Sequence, residues 1–274
     1  DNLMGYRGDV TVNLAVTFLV ILGGLGFVVI SEVLHLRKTD LRPGLSTHTR
    51  FVLAITAVLL AVGTVVVLAL EWNNPRTLGG LPVGERLLAA WFQSVTPRTA
   101  GFNTVDIGSM TTPALFFIVV MMFVGASPGS TGGGVKTTTF GITVASIWAT
   151  VRGRTEIVIF KRRLSADTVD RSFAVSLIAF LGLNAAAGFL LISEGRDLLR
   201  TLFETTSAFG TVGLSMGQPG SPVSLVGFFT PFGRLLLMAM MFMGRVGPLT
   251  LAVALAGRGA GPRVRYPEGK VMIG

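Results

Sequence analysis

The sequence contains no cysteine and only two histidines, His35 and His48, both in one polar stretch. The first absence excludes disulfides, thiol nucleophiles and cysteine-ligated metal, and the second leaves too few imidazoles for a histidine-built metal centre. Charge is scarce as well. Only 14% of the 274 residues are Asp, Glu, Lys or Arg, against roughly a quarter in an ordinary soluble domain. Half are hydrophobic. A chain so short of charge cannot keep a surface wet, so its solvent is lipid. No basic segment or small-residue cleavage site precedes the first apolar run. That run therefore reads as a span rather than a signal peptide, and the chain as a piece of a longer one.

The net charge of +9 invites a nucleic-acid partner, but the cations sit mostly in short loops between apolar runs. That is the positive-inside pattern, and nucleic acid is excluded as a partner. A hydrocarbon core of about 30 Å needs roughly 20 apolar residues in a helix. Five candidates exist: residues 10–31, 51–70, 112–151 with an interruption at 125–134, 172–193 and 231–257. Arg37, Lys38, Arg42 and Arg50 separate the first two. Arg152, Arg154, Lys161, Arg162, Arg163 and Arg171 separate the third and fourth, and Arg258, Arg263, Arg265 and Lys270 follow the fifth. These three regions are assigned to the cytoplasm, with the C-terminus, and the alternate loops outside. Each outer loop holds a semi-apolar stretch too short to span, residues 84–95 and 195–207. Span, short helix, turn and span is the outline of a re-entrant pore unit.

The outline repeats. Leu87, Leu88 and Phe92 match Leu198, Leu199 and Phe203 at a shift of 111 residues. Thr99-Ala100-Gly101-Phe102-Asn103 matches Thr211-Val212-Gly213-Leu214-Ser215 at a shift of 112. Thr112-Pro113 answers Thr230-Pro231, and Met121-Met122-Phe123-Val124-Gly125 answers Met240-Met241-Phe242-Met243-Gly244. Leu19-Val20-Ile21-Leu22-Gly23 fits the last pattern too. The expected organisation is the final helix of a preceding unit (1–36), a unit with a broken inner helix (50–152), a second unit (170–258) and a cytoplasmic tail (259–274). The pentapeptides are similar to a potassium-channel filter, where backbone carbonyls replace the hydration shell. A central glycine accepts the φ values that aim successive carbonyls at one axis. Such a neutral cage suits a monovalent cation, because divalent ions are usually held by carboxylates.

On these motifs, residues 85–136 and 203–248 resemble the third and fourth units of the Ktr/Trk/HKT superfamily. The run Gly125-Ala126-Ser127-Pro128-Gly129-Ser130-Thr131-Gly132-Gly133-Gly134-Val135-Lys136-Thr137-Thr138-Thr139 is most similar to the bacterial Ktr-type membrane subunit, and residues 265–270 resemble its C-terminus. The resemblance implies an all-α membrane protein of the bacterial plasma (inner) membrane, not an enzyme. It implies helix–pore helix–helix units of potassium-channel type, here with five spans and two re-entrant pore helices. It further implies potassium as substrate, sodium as a candidate activator, no bound cofactor, a homodimer in lipid and a cytosolic nucleotide-binding ring that gates it. By position, Thr99, Ala100, Gly101 and Phe102 form one filter quarter, and Thr211, Val212, Gly213 and Leu214 another. Potassium is expected at the carbonyls of Thr99, Ala100, Thr211 and Val212. The first two quarters are missing, so this chain alone should not conduct. Alternatives are a sodium-permeable relative and a non-conducting regulatory or assembly paralogue.

Two features break the repeat. Arg245 lies mid-span where Gly24 and Ala126 stand in the other inner helices. It is either a structural donor to carbonyls of a broken neighbour or a cation below the filter that sets a gate, as the resemblance implies. The run from Gly125 through Ser127, Gly129, Ser130, Thr131, Gly132 and Gly133 to Gly134 lacks the register of a phosphate-binding loop, because Val135 intervenes before Lys136. It is either a packing kink or, by resemblance, a flexible flap below the filter. Asp106 is expected to cap or face water, or else to lend negative potential to the outer mouth, Asn103 and Ser215 to line the mouth, Glu204 to hold a structural bond and Asn184 to bond between helices. The methionines at 238–243 read as packing, and Lys161-Arg162-Arg163 as a topology signal or a dock for a partner or anionic lipid.

Overall fold

The computed structural model describes residues 2–35, 44–154, 156–217, 223–247 and 250. Among the described residues two helices, α3 (Thr47–Glu71) and α7 (Ala166–Glu194), are long and apolar enough to cross a membrane. Ser46 and Ser165 start them by accepting the amides of Thr49 and Thr168. Gly195, at φ 59°, ends α7 in the left-handed conformation.

The first span departs from expectation. It is not one helix over residues 10–31. Instead α1 (Val10–Leu25) and α2 (Phe27–His35) meet at a 99° bend. Gly26 makes the break at φ 90°, and a Cβ there would overlap the Pro128 carbonyl oxygen. Apolar continuity in a sequence carries no trace of one positive-φ glycine.

A single order of elements then occurs twice. In the first repeat, α3 is followed by the short α4 (Val83–Val95), then α5 (Thr112–Phe123), an irregular loop and α6 (Thr137–Val151). In the second, α7 is followed by the short α8 (Leu198–Phe209) and α9 (Pro231–Val246). Asp197 caps α8 by accepting the amides of Leu199 and Arg200, so this helix begins three residues later than expected. At 13 and 12 residues, α4 and α8 reach only about 20 Å, too short to span. The expected fifth span is described only in part. Its helix α9 runs to Val246, with Arg245 in its last turn, and Gly247 follows at φ 99°. Residues 248–249 and 251–274, including the expected tail, lie outside the described residues.

Packing follows the repeat. The inner helix α1 lies on the short helix α4, and α5 lies on α8 in the same way. Phe203 of α8 is buried among Ala114, Ile118 and Met122 of α5. Large side chains such as Phe18, Val65, Phe180, Ile192 and Phe242 point outward and are more than half exposed. So extensive an apolar exterior is costly in water and matches lipid. A two-stranded hairpin, Val158–Ile159 with Arg162–Arg163, turns through Phe160 and Lys161, both at positive φ. The expected basic run sits on this hairpin.

Three glutamates hold the helix starts, a device the sequence did not announce. Glu32 accepts from the amide and hydroxyl of Ser46, the N-cap of α3. Glu71 accepts from the amide (2.8 Å) and hydroxyl (2.6 Å) of Thr111, the N-cap of α5. Glu194 accepts from the amide (3.0 Å) and hydroxyl of Thr230, the N-cap of α9. A carboxyl at the positive end of a helix dipole is favourable each time. Glu71 is fully buried and also accepts from Asn74 and Thr77. Truncation to alanine would take this acceptor from the Thr111 amide and hydroxyl and the Thr77 hydroxyl, and Glu71→Ala is expected to cost about 3 kcal/mol. A fall in the detergent melting temperature checks this; an unchanged melt would exclude the role.

Candidate functional site

The two pentapeptides form turns that directly follow α4 and α8. Thr99 (φ 64°) and Gly101 (φ 77°) are left-handed, with Ala100 between them at negative φ. Thr211 (φ 51°) and Gly213 (φ 90°) flank Val212 in the same pattern. Alternating the sign of φ turns successive amides to one side and successive carbonyls to the other. The amides of Ala100 and Val212 point back to the carbonyls of Thr96 (3.2 Å) and Ser207 (2.8 Å) at the ends of the short helices. A β-branched residue with left-handed backbone is a genuine outlier, at a cost of about 1–2 kcal/mol. Finding it at Thr99 and again at Thr211, at matching points of the repeat, makes the pair a candidate site.

The turns face each other. A Cβ on Gly101 would overlap the Val212 carbonyl oxygen and stand 3.3 Å from the Gly213 Cα. One on Gly213 would stand 3.8 Å from the Gly101 Cα. Backbone therefore meets backbone. On its other side, the Gly101 carbonyl accepts from the Asn2 side-chain Nδ2 at 3.2 Å. Thr96 and Ser207, which the sequence reading passed over, donate their hydroxyls to the carbonyls of Phe102 and Leu214. Their signal was available: both are hydroxyl residues at matching points of the repeat, 111 residues apart.

The loop at 125–134 lies against both turns. A methyl group on Gly132 would overlap the Thr99 hydroxyl, and one on Gly133 would stand 2.6 Å from Thr211 Oγ1. The loop is pinched shut at its base, where the Gly125 amide donates to Val135 (2.9 Å) and the Val135 amide to Phe123 (3.2 Å). It is also tied to both other inner helices. Ser127 and Thr131 donate their amides to Gly24 and Gly23 of α1, and Gly134 donates to Gly244 of α9. The Ser130 amide closes on Ser127 at 3.3 Å, and Gly129, at φ 71°, accepts from the Phe27 amide. Arg245 reaches across and donates to the Thr131 carbonyl, while Lys136 Nζ donates to the adjacent Gly132 carbonyl at 2.6 Å. Two cations thus hold consecutive carbonyls of one loop.

The profile of the family described as TrkH, cation transport protein, matches residues 1–258. The chain belongs to this family. It is therefore a multi-pass membrane protein of a transporter family and not an enzyme. It is 43% identical over its whole length to Ktr system potassium uptake protein B of Bacillus subtilis, covering 59% of that protein. It is 40% identical to the protein of the same name from Vibrio alginolyticus, covering 58%. A relative in Enterococcus hirae, named potassium/sodium uptake protein NtpJ, is 33% identical. The chain thus spans about three-fifths of the length of these relatives. The solved structure of the potassium transporter TrkH from Vibrio parahaemolyticus has the same fold. It superposes with a TM-score of 0.75 at 19% identity, over 92% of this chain and 53% of that one.

Other candidate positions in this TrkH-family chain have mainly structural partners. Asp106 caps a short turn, accepting from the Gly108 amide and the Ser109 hydroxyl. Glu204 accepts from Ser215 Oγ and the Met216 amide, the structural bond expected. Asn103 donates to the Val105 carbonyl. Asn184 does not bond between helices; its amide returns to Phe180 in its own helix, because its face of α7 is exposed. Met240 is buried, whereas Met238 and Met241 face outward. Sequence reading also missed Arg98. It is 4% exposed beside the first turn, and its guanidinium donates to Thr56 Oγ1 at 3.4 Å.

Proposed function

We propose that the complete protein carries potassium inward across the plasma membrane through a pore to which this chain contributes two of four filter quarters. The observation that carries this reading is the opposed pair of turns around Gly101 and Gly213, alike in φ pattern, with backbone against backbone. In it the carbonyls of Thr99, Ala100, Thr211 and Val212 strip water from the ion, and the C-terminal ends of α4 and α8 add partial negative charge. Phe102 and Leu214 mark the outer end of each run, since their own carbonyls are tied to hydroxyls. Five membrane crossings follow if α1–α2, α3, α5–loop–α6, α7 and α9 each count as one. The names of the relatives support potassium; the Enterococcus hirae relative, named for both ions, supports potassium with sodium as a second reading.

The gate in this proposal is the 125–134 loop under the turns, latched by Arg245. A homodimer with a cytosolic nucleotide-binding ring is the assembly the family resemblance implies, with the C-terminus cytoplasmic. Purified complete protein in vesicles tests the whole reading: potassium should enter down its gradient, and a protein that passes no potassium would end it. In that assay Arg245→Ala should raise flux severalfold by releasing Thr131. Equal flux in the variant would remove Arg245 from the gate.

A further inference from the structure

Hydroxyls within helices normally bond back to the carbonyl one turn earlier, and most do so here. Thr64 donates to Leu60, Thr201 to Asp197 and Thr205 to Thr201. Thr96 and Ser207 break that habit. Each is buried at the C-terminal end of a short helix, at 1% and 4% exposure, and each sends its hydroxyl forward. Thr96 donates to the carbonyl of Phe102, six residues on. Ser207 donates to that of Leu214, seven residues on, at 2.6 Å. The extra residue in the second case is the one-residue step between the 111 and 112 shifts of the repeat. Despite this insertion, and despite different side chains at 102 and 214, both bonds reach the residue after the filter glycine.

The chemistry of the two ends explains what such a bond does. Residues 99–101 and 211–213 hold strained backbone that must keep its carbonyls turned away from the short helix. Nothing within the pentapeptide enforces this, because glycine is the freest residue. The amides of Ala100 and Val212 anchor the inner end of each run to the short helix. The hydroxyl anchors the outer end. A run fixed at both ends has a set separation from its opposite number.

We propose that Thr96 and Ser207 are positioning residues for ion selectivity, pinning the peptide after each filter glycine so that the aperture stays matched to potassium. This rests on the filter reading above and names what holds that filter to size. The test measures potassium and sodium flux through the complete protein in vesicles. Thr96→Val and Ser207→Ala should each lower the potassium-to-sodium flux ratio about fivefold, the factor set by the net worth of one hydrogen bond. Thr96→Ser and Ser207→Thr, which keep the donor, should stay within about twofold of the parent by the same reckoning. Ser207→Ala removes one oxygen and adds no bulk, so it decides the matter if Thr96→Val does not fold. An unchanged ratio in Ser207→Ala, or failure of the donor-keeping variants to preserve it, overturns the proposal. Gly101→Ala in parallel separates the two readings. If it disturbs flux while the hydroxyl variants do not, the filter stands and the hydroxyl tie falls. If it too leaves flux unchanged, both fall.

Discussion

Gly101→Ala should reduce potassium flux through the complete protein about a hundredfold, whereas Gly213→Ala should reduce it only about tenfold. Both positions lie at positive φ, 77° and 90°, so alanine strains either turn by about 1–2 kcal/mol. The difference is space. A methyl group on Gly101 overlaps the Val212 carbonyl, one of the oxygens assigned to the ion, while a methyl on Gly213 meets only the Gly101 Cα at an ordinary 3.8 Å. Overlap with backbone cannot be relieved by a rotamer change, so the opposite turn itself must move. Vesicle flux with a fluorescent potassium indicator reads both variants side by side. Equal loss in the two would mean that strain alone matters and that the turns do not face each other in the working protein.

Removing residues 129–133 should leave the pore leaking at least about tenfold above its resting flux, a barrier change of at least about 1.4 kcal/mol. The deletion takes away Gly132 and Gly133, which lie beneath the Thr99 and Thr211 side chains, together with the Thr131 ties to Gly23 and Arg245. The base of the loop, where Gly125 and Val135 bond, remains to rejoin α5 and α6. Resting flux without any activating partner is the readout. Adding Arg245→Ala to the deletion should then change little, because the carbonyl that Arg245 holds is already gone. A pore that remains tightly closed after the deletion would count against the loop as a gate. An additive effect of the second substitution would give Arg245 a role independent of it.

Several of these features could be read from residue types alone. The two short helices, the turns after them and the interruption of the third span all emerged from self-similarity and from the concentration of Gly, Ser and Thr. The break at Gly26 did not, because the end of the sixteen-residue α1 and the start of the nine-residue α2 read as one hydrophobic run through residue 31. The stop of α9 at Val246, before Gly247 at φ 99°, was likewise not read from the apolar run that contains it. Glu71 and Glu194 looked like ordinary polar residues at the ends of spans. Their roles depend on Thr111 and Thr230, 40 and 36 residues away.

Membership of a membrane transporter family and an all-helical, repeated architecture were determined by the sequence by itself, because hydropathy and internal similarity are properties of consecutive residues. Tertiary structure alone decided which backbones touch. The meeting of Gly101 with Val212, of Gly132 with Thr99 and of Thr96 with Phe102 depends on how α4, α5 and α8 pack. The first two join groups distant along the chain, and a glycine's freedom becomes a specific geometry only when neighbours press on it from outside its own segment.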